Sequence, residues 1–133
     1  MRWLGVDPGG ARVGLAISDP DERIAVPLEV VPASAAFPAI RAIAARDGVE
    51  GVVIGLARTP RGAEEESAQR SRHLGDRIAR ALGLPVEYVD EALTSVTADR
   101  LGARRGGPSD DIAATLILQQ FLDERRGATR AAE

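Results

Sequence analysis

The sequence predicts an α/β domain with a five-stranded mixed sheet, three antiparallel strands followed by parallel strands, flanked by helices. The first observation is a series of three short apolar segments separated by turn residues, which is typical of an antiparallel meander. The second is the alternation of helical and apolar segments that follows, which is typical of parallel strands joined by crossover helices. The third is size, because 133 residues with 44% hydrophobic content are enough for one domain with a real core.

The three opening strands are predicted at Trp3–Val6, Arg12–Ser18 and Ile24–Val31. The second of them alternates apolar and smaller residues, and the turn after it is rich in aspartate and proline. Pro27 lies inside the third strand, where it cannot donate a backbone hydrogen bond. We therefore expect the third strand at an edge of the sheet.

Helices and strands alternate in the rest of the chain. Helices are predicted at Phe37–Asp47, Glu64–Leu82, Thr94–Arg105 and Asp110–Arg125, and strands at Val52–Ile54 and Val86–Val89. Glycines follow the first two helices, and the strand between these helices is apolar throughout, as expected of a central strand buried on both faces. We assign residues 1–126 to a single domain and residues 127–133 to a flexible tail.

Composition excludes several classes of function. The chain has no cysteine, so thiolate catalysis and zinc–cysteine clusters are excluded, and it has no lysine, so P-loop and Schiff-base chemistry are excluded as well. A net charge of −3 argues against a general polyanion binder, so any nucleic-acid contact must use a local group of arginines. Nothing approaches a membrane-spanning run, and we expect a cytoplasmic protein.

Acidic residues follow two of the predicted strands. Asp7 comes where the first strand ends, and Asp90 and Glu91 come where the last one ends. If these strands are parallel, their acids lie at the same carboxyl edge of the sheet, where open α/β sheets bind ligands. Carboxylates held close together repel each other unless a proton or a cation neutralises them, so a divalent metal is the expected ligand.

The order of elements is that of an RNase H-like domain, which groups acids at two strand ends and on a late helix. The third acid is then Asp110, in the first turn of the final helix. Oxygen ligands without histidine or cysteine nearby select a hard cation, Mg²⁺ or Mn²⁺. A pair of such ions can activate a water and stabilise the leaving oxygen of a phosphodiester.

Four segments together resemble the YqgF/RuvX family. They are Gly5-Val6-Asp7-Pro8-Gly9, Val53-Ile54-Gly55-Leu56, Asp90-Glu91-Ala92-Leu93-Thr94 and Asp110-Asp111-Ile112-Ala113-Ala114-Thr115-Leu116-Ile117-Leu118. The resemblance covers Arg2 to Asp123. It implies an RNase H-like, metal-dependent nuclease that cleaves structured RNA and matures the 5′ end of pre-16S rRNA during ribosome biogenesis, with the small-subunit precursor as partner. It also implies that Asp7, Glu91 and Asp110 are the catalytic and metal-binding acids, with Asp111 ranked second.

One departure from the family pattern concerns substrate binding, because Ala92 stands where the family has an arginine. Because the predicted cleft is acidic and the chain has a net charge of −3, a phosphate backbone can be held only by arginines beside the site. The candidates are Arg12, on the strand after Asp7, and Arg58 and Arg61, in the loop after the central strand. Arg104 and Arg105, just before the last helix, are further candidates that would replace the charge missing at Ala92.

Alternatives remain open. Each acid also has a purely structural interpretation. Asp7 can belong to an ordinary Asp-Pro-Gly turn, and Glu91 can be a solvated acid at the end of a strand. Asp110 can be an acid in the first turn of a helix, where the helix dipole favours it. The same chemistry fits a dimeric Holliday junction resolvase that cuts branched DNA. The absence of the family's arginine at Ala92 is also compatible with a non-catalytic assembly factor. The sequence does not decide between RNA and DNA, endonuclease and exonuclease, or monomer and homodimer.

Overall fold

The computed structural model describes residues 1–56, 62–90 and 110–132, with side chains described for 1–56, 68–90 and 111–127. The strands are β1 (Trp3–Pro8), β2 (Arg12–Ser18), β3 (Ala25–Pro32), β4 (Gly51–Leu56) and β5 (Val86–Asp90). The helices are α1 (Ala36–Asp47), preceded by a 3₁₀ turn at Ala33–Ala35, α2 (Gly62–Leu82) and α3 (Asp110–Ala132). The predicted helix at Thr94–Arg105 lies outside the described residues.

The five strands form one mixed sheet in the order β3-β2-β1-β4-β5. Strand β2 is antiparallel to both β1 and β3, whereas β1 and β4 are parallel, as are β4 and β5. The predicted fold class is therefore confirmed. β3 lies at the edge, as Pro27 predicted, and its register against β2 shifts between Leu15 and Ala16.

Local sequence predicts the ends of α1 and α2 correctly but not the end of α3. α1 and α2 end before Gly48 and Gly83, which adopt the left-handed φ values of 67° and 66° that favour glycine. The predicted end of α3 at Arg125 is wrong, because the helix continues to Ala132. The alanines after Gly127 have high helix propensity and outweigh that glycine. The division into a domain and a flexible tail stays a prediction.

The sheet has a distinct apolar core on each face. On one face, residues such as Leu4 and Val6 of β1 pack against α1 and α2. On the other, Trp3 of β1 packs against α3 in a second cluster that includes Ile117 and Leu118. Because side chains alternate along a strand, the residues of β1 at odd positions face α3. No helix in the described part of the chain is both long and apolar enough to cross a membrane.

Aromatic and ionic contacts hold the carboxyl-terminal half of α3 against the start of β1. The rings of Trp3 and Phe121 meet edge to face with centroids 4.6 Å apart. The Arg125 guanidinium lies 5.1 Å from the Trp3 ring centroid, and its Nε donates to a Glu22 carboxylate oxygen at 2.6 Å. α3 is therefore held in a definite direction across the sheet, with its later turns over the beginning of β1.

The turn after β2 is closed by an aspartate. One carboxylate oxygen of Asp19 accepts hydrogen bonds from the backbone N–H groups of Ile24 and Arg23, both at 2.8 Å, and the other accepts from Asp21 at 3.2 Å. These bonds, that from Ile24 above all, lower the pKa of Asp19 below its ordinary value of 3.8. The ionised form of this side chain therefore stabilises the folded state.

A lowered carboxyl pKa has a defined sign for stability. The contribution is present above pH 3.8 and is lost as the pH falls through the lower pKa of the folded state. We expect Asp19→Asn to lower the melting temperature at pH 7 and to show a smaller decrease than the unsubstituted protein between about pH 5 and about pH 3. Thermal melts across this range measure the difference, and parallel curves for the two proteins would contradict this role of Asp19.

Candidate active site

The carboxyl ends of β1, β4 and β5 meet at one edge of the sheet. Val6 is paired with Ile54, and Leu56 with Asp90, so Asp7 and Asp90 follow at nearly the same level on strands that flank β4. Two strand spacings separate their backbones by about 10 Å. The predicted parallel arrangement of these strands, and the shared edge that it implies, are confirmed.

Side chains alternate between the two faces of a sheet along each strand. By this alternation, Asp7 and Asp90 lie on opposite faces. Asp7 shares its face with Trp3, which packs against α3. Asp90 is two residues after Tyr88 and therefore lies on the same face of the sheet. The Tyr88 hydroxyl lies next to Gly75 of α2, so this is the α2 side. Val89 is the residue of β5 that packs on the α3 side. Asp90, one of the two acids that the sequence predicts at the end of this strand, therefore lies on the face of the sheet away from Asp7.

Asp7 is a buried acid. The residue is 7% exposed, and the other buried polar or charged residues among those described are Ser18 and Ser71. The turn after β1 is closed by the backbone, because the Asp7 carbonyl accepts a hydrogen bond from the N–H of Gly9 at 3.0 Å. A buried carboxylate needs compensating charges or hydrogen bonds to stay ionised. Asp7 also lies at the carboxyl edge of the sheet, where open α/β sheets bind ligands, so it is positioned for binding chemistry.

α3 crosses β1 with its amino terminus toward Asp7. A Cβ on Gly5 would lie 2.8 Å from the Cβ of Leu118 and 2.9 Å from the carbonyl oxygen of Ala114, while the later residue Phe121 contacts Trp3. The helix therefore runs antiparallel to the strand. Four helical residues rise about 6 Å and two strand residues about 6.6 Å, so the turn before Ala114 lies level with Asp7.

The first turn of α3 contains two acids. Asp110 is its first residue, one turn before Ala114, and its side chain lies outside the described ones. Asp111 is half-buried, and its carboxylate accepts a hydrogen bond from the N–H of Ile112 at 3.0 Å. The unsatisfied N–H groups of a helix amino terminus give it a positive partial charge, which favours anions close to it.

Arg12 lies beside Asp7 on the same face of the sheet. Gly14 of β2 is paired with Asp7, and Arg12 is two residues from Gly14, so the arginine is the diagonal neighbour of the acid. Diagonal neighbours are roughly 7–8 Å apart, which long side chains span. Arg12 is exposed and therefore accessible to a ligand at this edge.

Several predicted site residues lie outside the described part of the chain, namely Glu91, Arg58, Arg61, Arg104 and Arg105. Among the described residues, no three acidic or histidine side chains converge as a metal site. The convergence of Asp7, Glu91 and Asp110 therefore stays a prediction.

Gly5 is the site-positioning residue whose role sequence reasoning missed. Gly5 belongs to the first motif, and its structural role is to let α3 approach β1 closely. A glycine inside a strand often marks such a close backbone approach, and that was the available signal.

Comparison with known proteins identifies relatives over nearly the full chain. A family model described as "RuvX: Holliday junction resolvase" matches residues 1–124. A protein of Chloroflexus aggregans named "Putative pre-16S rRNA nuclease" is 43% identical over 133 residues, covering 92% of this chain and 94% of that protein. A protein of Lactobacillus gasseri with the same name is 38% identical over 140 residues, covering 95% and 98%.

Two solved structures have the same architecture. Thermus thermophilus RuvC superimposes with a TM-score of 0.66 at 19% identity, covering 96% of this chain and 97% of that one. RuvC of T. thermophilus in complex with a Holliday junction substrate gives a TM-score of 0.64 at 18% identity, covering 96% of both chains. At this identity the likeness concerns the fold, and it supports the RNase H-like assignment.

Proposed function

Because this chain belongs to the RuvX family, we propose that it is a nuclease that hydrolyses phosphodiester bonds in structured RNA, with the 5′ end of pre-16S rRNA as its substrate. The names of the relatives from Chloroflexus and Lactobacillus support this substrate. The observation that carries the proposal is the buried carboxylate of Asp7, on the sheet edge and face where α3 begins. Its partner would be the small-subunit precursor, in the cytoplasm.

The donors at this edge fit a hard divalent cation. We propose that Asp7, Glu91 and Asp110 hold Mg²⁺ or Mn²⁺, since carboxylate oxygens are the ligands these ions prefer. Glu91 is preferred to Asp90 because Asp90 lies on the face of the sheet away from Asp7. His73, the single histidine, lies on α2, across the sheet. When bound, such ions supply an activated water and stabilise the leaving oxygen.

The chain's own residues would place the substrate. β1 lies between β2 and β4, and Asp7 itself is paired with Gly14 of β2, so the carboxylate is carried by a strand of the sheet and is preorganised. Arg12 is suited to bind a phosphate oxygen next to the cleaved bond, because a guanidinium donates two parallel hydrogen bonds to such oxygens. We propose that Arg58, Arg61, Arg104 and Arg105 bind adjoining phosphates.

A second candidate function is resolution of branched DNA, which the description of the matching family model favours. It would use the same acids but would need two active sites, one for each cut strand, and therefore a homodimer. The two functions differ in substrate and in oligomeric state, and both can be measured with the same protein preparation.

The decisive experiment offers several substrates side by side. Purified protein with Mg²⁺ or Mn²⁺ is incubated with pre-16S rRNA 5′ ends, generic single strands and four-way DNA junctions. We expect metal-dependent cleavage of the rRNA precursor, abolished by EDTA. Symmetric junction cleavage by a dimer would favour the resolvase. Binding of the precursor without cleavage under any metal condition would indicate an assembly factor.

Arginines beside the site should control the salt dependence of binding. We expect Arg12→Ala to lower the slope of log K against log salt by roughly one unit, and Arg104→Ala plus Arg105→Ala by roughly two units, with similar weakening for all RNA sequences. Arg46→Ala is the control, because Arg46 pairs with Asp47 at the end of α1. Unchanged slopes for the double variant would assign Arg104 and Arg105 to complementing a helix dipole.

A further inference from the structure

A row of basic side chains follows the exposed side of α2. Arg70, His73, Arg77 and Arg80 are spaced by three, four and three residues, so they lie on one side of the helix, and all four are exposed. With a rise of 1.5 Å per residue they span about 15 Å. We refer to these four residues as the α2 stripe.

The stripe carries charge that the described part of the protein does not neutralise. In residues 68–82 the arginines outnumber the acids, since Asp76 is the single acid there. None of the ion pairs among the described residues uses a stripe arginine. Arg77 instead stacks on Phe37 of α1, 4.0 Å from the ring centroid. In a chain of net charge −3, such a cationic row is suited to bind an external polyanion.

The surface along the stripe is concave. Two depressions of about 510 and 520 Å³ both include His73 and Arg77 in their lining. The first also includes Arg70, and the second includes Arg80 together with the single acid of this segment, Asp76. Both depressions are open to solvent. An extended ligand with regularly spaced charges fits such a surface. Phosphates on one strand of a duplex are a few Å apart along the axis, about 3.4 Å in double-stranded DNA, so the stripe spans several phosphates.

The stripe is remote from the proposed active site. α2 starts after the carboxyl end of β4, at the edge that holds Asp7, and ends before β5 at the opposite edge. It also packs on the sheet face away from α3. The stripe begins roughly 12 Å along the helix from Gly62 and ends roughly 27 Å from it. Only a substrate that extends well beyond the cleaved bond can reach both places.

We propose that the α2 stripe is a second RNA-binding site, which holds the sugar–phosphate backbone of the segment flanking the cleavage site. The inference rests on the proposed function, because it takes the bound polyanion to be the substrate RNA. It gives the enzyme a preference for long, structured RNA over short fragments, because a short fragment occupies the active edge without touching the stripe.

The test compares binding of two RNAs with EDTA present, so that no cleavage takes place. The long RNA contains the cleavage site and a flanking duplex, and the short RNA contains the cleavage site alone. For Arg70→Gln plus Arg80→Gln we expect the Kd of the long RNA to rise roughly tenfold and its salt slope to fall by roughly two units. The ratio of the Kd of the short RNA to the Kd of the long RNA should fall toward one.

The matched control is Arg46→Gln plus Arg126→Gln, which removes the same charge from arginines paired with Asp47 and Asp123. This control should keep the preference for long RNA. Equal losses in both double variants, no loss in the stripe variant, or no preference for long RNA in the unsubstituted protein would each overturn the proposal. Cleavage assays separate the two inferences, because RNA binding through the stripe without any cleavage would refute only the proposed nuclease function.

Discussion

Asp7→Asn is expected to lower the rate constant of metal-dependent cleavage by roughly 10³-fold or more, because metal-ion catalysis supplies several kcal/mol of transition-state stabilisation. The substitution preserves the size of the side chain and removes its charge, so it weakens the proposed metal ligand without creating a cavity. The backbone hydrogen bond from Gly9 to the Asp7 carbonyl is unaffected. Single-turnover cleavage of the precursor rRNA at saturating Mg²⁺ or Mn²⁺ measures the effect, with circular dichroism as the check on folding.

Asp19→Asn is the control for this experiment, since it makes the same chemical change in a turn at the opposite edge of the sheet. Asp19 binds only backbone N–H groups of its own turn in the hydrogen bonds described above. We expect this variant to lose stability and to keep its cleavage rate at temperatures well below its melting point. Full activity of Asp7→Asn with full metal dependence would assign Asp7 to the turn and remove it from the active site.

Gly5→Ala is expected to lower both stability and activity. The added methyl group would lie 2.8 Å from the Cβ of Leu118 and 2.9 Å from the carbonyl oxygen of Ala114, so α3 must shift away from β1. Overpacking of this kind costs roughly 1–3 kcal/mol. A displacement of about 1 Å between the first turn of α3 and Asp7 lowers a reaction rate by roughly 10²-fold. Denaturant unfolding and single-turnover cleavage measure the two effects.

Gly10→Ala is the matched control, because nothing lies within 4 Å of a Cβ at that position. It makes the same substitution in the turn directly after the Gly5–Gly9 motif, and we expect it to be close to the unsubstituted protein in stability and rate. Cleavage by Gly5→Ala should remain low even at temperatures where the variant is fully folded, which separates misplaced site residues from simple unfolding. If Gly5→Ala matches Gly10→Ala in both measurements, the close approach of α3 does not position the site.

Local sequence determined the elements and their order. The strand alternation of Arg12–Ser18, the breaks at Gly48 and Gly83, and the edge position required by Pro27 all depend on residues close together in the chain. Such signals are readable because side-chain periodicity and backbone conformation are set within a few residues. The same logic fails at the end of α3, because the sequence predicts a helix that stops at Arg125 whereas the helix continues to Ala132.

The sequence by itself also determined the family and the acid at the end of β1, because four motifs in order and a carboxylate after a buried strand need no coordinates. Tertiary structure alone decided that Asp7 faces α3 while Asp90 faces α2, that Gly5 admits α3 against the sheet, and that the basic side of α2 lies across the sheet from Asp7. The physical reason is packing. Contacts such as Gly5 with Leu118 join residues more than a hundred positions apart, and only the docking of whole elements brings them together.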